Sequence, residues 1–343
     1  MPKRINIALQ GGGAHGAFTW GALDVLLQCP EIEIAAITGT SAGALNGAAV
    51  KAGIVRGGVN AARANLDWLW SEVAGIGDEH LTAWLSDLAP PTAQLARAIQ
   101  GSPAYAAADT ISRMVSPYVW GPFYTNPLEG LLSRMQFEDV CAPEGPALFV
   151  CATNVRTGKI RVFTGEEIGP KTIMASACLP TLFQAVEVAD EDGTMQAYWD
   201  GGYTGNPALF PLYEGRFPDD IVVVNINPIH REELPVSPQE ILNRINEISF
   251  NSSLLRELRA IDFVRRLIAE GRMPEGVMRN VKIHMIADDA LMNELSVATK
   301  IIPTAVTVAR LKTAGQAAAQ RFLDAHLDDL NVRPTVDLGA MFG

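Results

Sequence analysis

Cysteine is scarce in this sequence. Cys29, Cys141, Cys151 and Cys178 are the only four in 343 residues, and no two form a C-x-x-C pair. That spacing excludes a compact zinc site and a disulfide framework, and predicts reduced, mostly buried thiols of a cytosolic protein. Histidine is nearly as rare, with five: His15, His80, His230, His284 and His326. Basic residues are outnumbered, 27 Lys and Arg against 38 Asp and Glu, for a net charge of -11. An acidic surface repels phosphate polymers, which excludes nucleic acid as a partner and disfavours broad adhesion to anionic lipid. Also missing is any run of about 18 apolar residues, the length needed to span a bilayer. The basic N-terminus leads only into Ile5 to Leu9, a strand-length stretch too short for a signal peptide. These absences predict a soluble, cytoplasmic chain whose contact with a membrane is peripheral.

What is present reads as globular, with 48% apolar and 19% charged residues. Ile5-Asn6-Ile7-Ala8-Leu9 and Ile34-Ala35-Ala36-Ile37 read as buried strands, each running through a glycine-rich turn into a helix. Strand, helix, strand, helix marks an α/β protein with a parallel sheet and helices on its faces. Residues 57–135 read as a mainly helical insertion carrying Trp68, Trp70, Trp84 and Trp120. Sheet-like segments return at 147–152, 159–163 and 197–200, and Ile221-Val222-Val223-Val224 is the clearest buried strand. Beyond about residue 230 the pattern turns to amphipathic helices over 238–248, 253–270 and 303–328, with a short strand at 281–286. There is no internal repeat and no low-complexity tail.

Three segments carry chemistry. Gly39-Thr40-Ser41-Ala42-Gly43 is a G-x-S-x-G between a buried strand and a helix. A tight turn there lifts a serine to the edge of the sheet, small neighbours relieve the crowding, and the helix N-terminus points at the reaction centre. Gly11-Gly12-Gly13-Ala14-His15-Gly16 fits G-x-G-x-x-G, so a dinucleotide site has to be weighed. That site needs an acidic residue at the end of the second strand, and Glu31 and Glu33 lie at its beginning. Consecutive glycines exposing backbone N–H groups fit an oxyanion hole better. The third segment is Asp200-Gly201-Gly202, an exposed acidic turn after an apolar strand. A serine nucleophile needs a base. None of the five histidines stands where a triad would need it, whereas a carboxylate at 200 has the reach to bond Ser41 directly. Taken alone, though, D-G-G is an ordinary turn.

The ordered set resembles the patatin-like phospholipase family over roughly residues 5–213. Ala175-Ser176-Ala177-Cys178-Leu179-Pro180 and Asn206-Pro207 add weaker similarity. The resemblance implies a three-layer α/β/α fold with a mainly parallel central sheet over 1–213, followed by a mainly helical C-terminal extension over 214–343. It implies a lipid acyl hydrolase, phospholipase A-like or a carboxylesterase, working through an acyl-enzyme. In that reading Ser41 is the nucleophile and Asp200 the base of a dyad. Gly11, Gly12 and Gly13 form the oxyanion hole, and Gly16, Gly39, Gly43, Gly201 and Gly202 support the motifs. No metal and no cofactor is required, and the partner is a lipid or ester. A non-catalytic lipid-binding scaffold is the competing reading. One departure concerns His15, where the family usually carries Arg or Lys, since imidazole is a cation only when protonated.

Two features keep a second use. Arg256, Arg259, Arg265, Arg266 and Arg272 read as the solvated face of a helix whose apolar side is Leu254, Leu258, Ile261 and Val264, with contact to anionic lipid as the alternative. The alanines around 314–319 allow close helix packing, for folding or for dimerisation.

Overall fold

The computed structural model describes residues 2–75, 90–103, 115–190, 192–274 and 276–342. His80 and Trp84 lie outside the described residues, as does the side chain of Trp120.

The sheet is built from β1 (Lys3–Leu9), β2 (Ile32–Thr40), β3 (Ala147–Asn154), β4 (Ile160–Thr164), β5 (Val186–Ala189), β6 (Met195–Asp200), β7 (Asp220–Asn225) and β8 (Lys282–Ala287). The order is β5-β6-β3-β2-β1-β7-β8, with β4 also paired to β3. The run β3-β2-β1-β7-β8 is parallel, while β4, β5 and β6 are antiparallel. Parallel strands are covered on both faces, which is why Ile5 to Leu9 and Ile221 to Val224 are buried throughout rather than alternately.

The helices are α1 (Gly16–Gln28), α2 (Ala42–Ala74), α3 (Thr92–Gln100), α4 (Glu129–Leu132), α5 (Phe137–Cys141), α6 (Pro170–Ser176), α7 (Pro238–Ala269), α8 (Asp289–Glu294), α9 (Val297–Ile301), α10 (Ala305–His326) and α11 (Leu338–Phe342). Successive strand residues point to opposite faces, and two cores result. Ile5, Ile7 and Leu9 pack with α1, α2 and α10 on one face. Ala8, Ile221, Val223 and Ile283 pack with Leu254, Leu258 and Ile261 of α7 on the other. These are the three layers of an α/β/α sandwich, and β7 and β8, beyond residue 213, belong to the same sheet.

Several details differ from the sequence reading. The expected helices 238–248 and 253–270 are one continuous α7, because nothing between them breaks the backbone. The helix after Ser41 continues to Ala74, broken only at Gly57 and Gly58. Leu66, Leu69 and Trp70, inside the expected insertion, are therefore part of the main core, with Trp70 stacked on Trp20 at 6.3 Å. The alanine-rich stretch serves folding within the chain. Gly21 of α1 and Gly315 of α10 cross so closely that a Cβ on either would lie about 2 Å from a carbonyl oxygen of the other helix. None of the four cysteines is in a disulfide.

Candidate active site

The register of the sheet brings the motifs together. Leu9 pairs with Gly39, so the turns leaving β1 and β2 are neighbours at the carboxyl edge. Thr40 pairs with Cys151, and Ala152 pairs with Asp200, so Ser41 and Asp200 flank the same stretch of β3. The Ser41 side chain stands close enough to the Asp200 carboxylate to favour its charged form.

Ser41 sits at φ 54°, ψ −120°, a strained conformation for a residue with a side chain. The strain comes with a sharp strand-to-helix turn, and its neighbours hold it there. Its N–H donates to Ser176 Oγ at 2.9 Å, and that hydroxyl donates to the Cys151 carbonyl at 2.6 Å. Its carbonyl accepts the Leu45 N–H, the first bond of α2. Gly39 and Gly43 meet inside the turn: a Cβ on Gly43 would lie 2.2 Å from the Leu9 carbonyl oxygen, and one on Gly39 would lie 2.6 Å from that of Gly43. Any larger residue would therefore push β1, β2 and α2 apart. Gly16 is fitted against Ala42 and Trp70 in the same way.

Asp200 is not on an exposed turn, as its sequence setting suggested. It is 1% exposed and Ser41 is 7% exposed, because α7 covers the turn through Phe250, which packs on Gly202. Gly201 fits beneath the Cys151 carbonyl, with room for no side chain. The Asp200 N–H donates to the Cys178 carbonyl at 2.8 Å, and its carboxylate accepts the Gly202 N–H at 2.7 Å. Burial pushes the Asp200 carboxyl up to about 7, against the opposing pull of the Gly202 N–H and the Ser41 hydroxyl. The same surroundings push Cys178 and Tyr203 up to about 12, first by burial and then by the nearby carboxylate. Thr40 and Thr38 donate to the carbonyls of Gly205 and Ala208, tying the chain after Asp200 back to β2.

The glycine loop lies directly over Ser41, with a Cβ on Gly11 falling 2.8 Å from the serine Cβ. Its three glycines are not equivalent. The Gly11 N–H donates to Asn206 Oδ1 at 2.6 Å and is therefore occupied. For the N–H groups of Gly12 and Gly13, no acceptor is found among the described residues. Gly13 has φ +57°, and the Lys300 carbonyl oxygen stands 2.3 Å from where its Cβ would be, so only glycine fits there.

His15 takes no part in charging the loop. It is 2% exposed, and its Nε2 lies 2.8 Å from Thr299 Oγ1. That hydroxyl gives its one proton to the Ser296 carbonyl, so the imidazole must be the donor. Burial, followed by the charges of Lys300 and Arg231, holds His15 well below the ordinary histidine range, and it is neutral. The cation near the loop is Lys300.

Ser176, Asn206, Asn227 and Lys300 also line the site, and none of them belongs to the three motifs. Asn206 and Ser176 stood in segments of weak similarity. Asn227 and Lys300 follow no pattern, since only the folded chain places them beside the loop. Among the described residues no group of three or more His, Cys, Asp or Glu is arranged to hold a metal ion.

Residues 7–213 match the family described as patatin-like phospholipase, a stretch that holds the glycine loop, Ser41 and Asp200. No curated protein matches the chain. Among solved structures, the chain is similar to VipD from Legionella pneumophila at 12% identity and a TM-score of 0.39, covering 95% of this chain and 67% of that one. It is similar to the type III effector protein ExoU at 15% identity and a TM-score of 0.36, covering 97% of this chain and 54% of that one. Full-length ExoU from Pseudomonas aeruginosa in complex with SpcU gives 14% identity and a TM-score of 0.31, covering 93% and 53%. The chain thus spans about two thirds of the VipD chain and about half of the ExoU chains.

Proposed function

The chain belongs to the patatin-like phospholipase family, and from that premise we propose that it is a serine acyl-hydrolase of lipid carboxylic esters with Ser41 and Asp200 as a catalytic dyad. One observation carries the reading. A serine held at positive φ lies beside a buried carboxylate across the same stretch of β3, next to backbone N–H groups that bond no other part of the described chain.

The chemistry follows from that arrangement. Asp200 accepts the hydroxyl proton as Ser41 Oγ attacks the ester carbonyl. The N–H groups of Gly12 and Gly13 face the oxyanion, while Gly11 provides the close approach. As the tetrahedral species collapses, Asp200 returns its proton to the departing alcohol, leaving the acyl chain on Ser41. Water, deprotonated by the same carboxylate, then releases the fatty acid. A fixed donor of this kind is worth about 10²–10³ in rate.

The lipid surface is met by the apolar stripe Ile241, Ile245 and Ile248 on α7. Its members are exposed at helical spacing, with Leu234 and Val236 exposed just before the helix. Two residues past Ile248, the same helix places Phe250 on the Asp200 turn.

Hydrolysis of p-nitrophenyl butyrate and of phospholipid is the test. Ser41→Ala is expected to lose at least about 10³-fold in kcat and all labelling by a fluorophosphonate probe. Asp200→Asn should lose a comparable factor while still folding. Full activity in either folded variant removes that residue from the mechanism, and a wild-type chain that neither hydrolyses nor labels is a lipid-binding scaffold instead.

A further inference from the structure

The glycine loop is buttressed from outside the 7–213 stretch. Lys300, on α9, donates from Nζ to Asn227 Oδ1 at 2.8 Å. Asn227 is fully buried, and its Nδ2 donates to the Gly11 carbonyl at 2.8 Å and lies 3.1 Å from Gln10 Oε1. The Gln10 oxygen in turn accepts the N–H groups of Ile226 and Asn227 at 2.9 and 3.0 Å, and Gln10 Nε2 donates to Asn251. The backbone carbonyl of Lys300 packs against Gly13, and its neighbour Thr299 accepts from His15. Residues 299 and 300 therefore hold the loop at both ends.

The Gly11 carbonyl and the Gly12 N–H are the two ends of one peptide group. A hydrogen bond into that carbonyl withdraws electron density through the amide and makes the N–H a stronger donor. A cation at the head of the chain orients the Asn227 amide and deepens the polarisation, and Asn227 and Gly11, which carry it to the loop, are both buried.

We propose that Lys300 is a positioning residue for the oxyanion site: its ammonium, acting through Asn227, polarises the Gly11–Gly12 peptide toward the charge that develops on the substrate. This rests on the reading of Gly12 as an oxyanion donor given above. It also accounts for a neutral His15, since the cation reaches the loop from α9 instead.

The sign of the pH dependence follows. Burial brings the Lys300 ammonium down to about 8, with Glu247 opposing the shift and Arg231 adding to it. Glu247 is itself bonded by Arg231 and Arg244, which divides its charge. The neutral His15 faces Lys300 from the loop side, and Arg97 is the one charged residue of α3, which packs on the same segment. The ammonium is present below pH 8 and lost above it, so kcat should fall as pH rises through that value. Asp200 acts in the opposite sense, and together they predict a bell.

The experiment is kcat for p-nitrophenyl butyrate from pH 5 to 10 in the full chain, with the Ser41→Ala rate subtracted. Lys300→Met is expected to lose roughly 10-fold in kcat at pH 7, with KM little changed and the alkaline limb gone. Lys300→Arg should keep most of the rate and hold it beyond pH 9, because guanidinium stays charged. A folded Lys300→Met with wild-type kcat and an unchanged alkaline limb overturns the proposal. If that variant does not fold, Lys300→Arg decides: an alkaline limb still near pH 8 overturns it equally. Undiminished activity in Ser41→Ala overturns the dyad reading and the role of Lys300 with it, whereas an inactive Ser41→Ala beside an unaffected Lys300→Met overturns the role of Lys300 alone.

Discussion

In the proposed dyad Asp200 suits the role of base because it is a carboxylate kept away from water. An exposed aspartate ionises near 3.9 and is a feeble base; burial brings this one to about 7, within reach of useful proton transfer at neutral pH. Activity should therefore rise with pH through about 7 on its acid side. The same shift is a statement about stability. The folded value lies above the unfolded one, so the favourable contribution of the protonated carboxyl is fully present below pH 4. It is lost as pH rises through about 7 and stays lost beyond. Asp200→Asn removes the ionisation and keeps an oxygen for the Gly202 N–H. It should melt several degrees above wild type at pH 8, with a narrower gap at pH 5, as thermal denaturation at the two pH values would read. An equal gap at both would show that Asp200 does not titrate as its burial implies. In the sequence, D-G-G gave no sign of this, since exposure is a property of what folds over a residue.

The elements matter here through the closeness of their backbones. Helix α1 starts at the end of the glycine loop, and α10 lies across it at Gly21 and Gly315. Intrinsic propensity favours alanine over glycine in a helix by about 1 kcal/mol. At position 315 that gain is outweighed, because a Cβ would lie 2.0 Å from the Phe18 carbonyl oxygen, so the helices must separate at a cost toward the upper end of roughly 1–3 kcal/mol. Gly315→Ala should lower both Tm and the urea midpoint, and by shifting α1 it should lower kcat as well. A variant more stable than wild type would mean that α10 does not sit on α1 in solution. The sequence marked this region as a closely packing helix by its alanines, yet it left open whether the partner was this chain or a second copy. The helix after Ser41 is a similar case. Its small residues were plain to read, but its run through Gly57 and Gly58 to Ala74 depends on Leu66, Leu69 and Trp70 finding the core.

At the scale of the whole molecule, the net charge of -11 and the position of the apolar residues set the expected encounter with lipid. The arginines of α7 and of the turn just after it are largely occupied at home: Arg256 bonds Ser252, Arg259 lies over Phe342, Arg266 pairs with Asp262, and Arg272, past the end of the helix, with Glu270. Leu254, Leu258 and Ile261 on the opposite side are buried, as the reading of a solvated helix face requires, while Val264, the fourth residue of that side, is only half-buried. Binding should therefore depend on Ile241, Ile245 and Ile248 rather than on anionic lipid. The double variant Ile245→Asp, Ile248→Asp is expected to lose about 10-fold or more in hydrolysis of vesicle phospholipid while hydrolysing soluble p-nitrophenyl acetate normally. Equal loss on both substrates would place the damage in the site, not in docking. No helix among the described residues is long and apolar enough to cross a membrane.

The sequence by itself determined the α/β class, the strand-turn-helix context of Ser41 and the ordered motifs that mark the family. Each of these is a local property: hydrophobic period, turn chemistry and spacing along the chain. Only the tertiary structure decided that Asp200 is buried, that Gly11 has already given its N–H to Asn206, that His15 is neutral, and that the cation beside the loop comes from residue 300. Those facts concern which distant groups share a volume without water. A pKa or an unoccupied donor is set by that shared volume, and no stretch of consecutive residues encodes it.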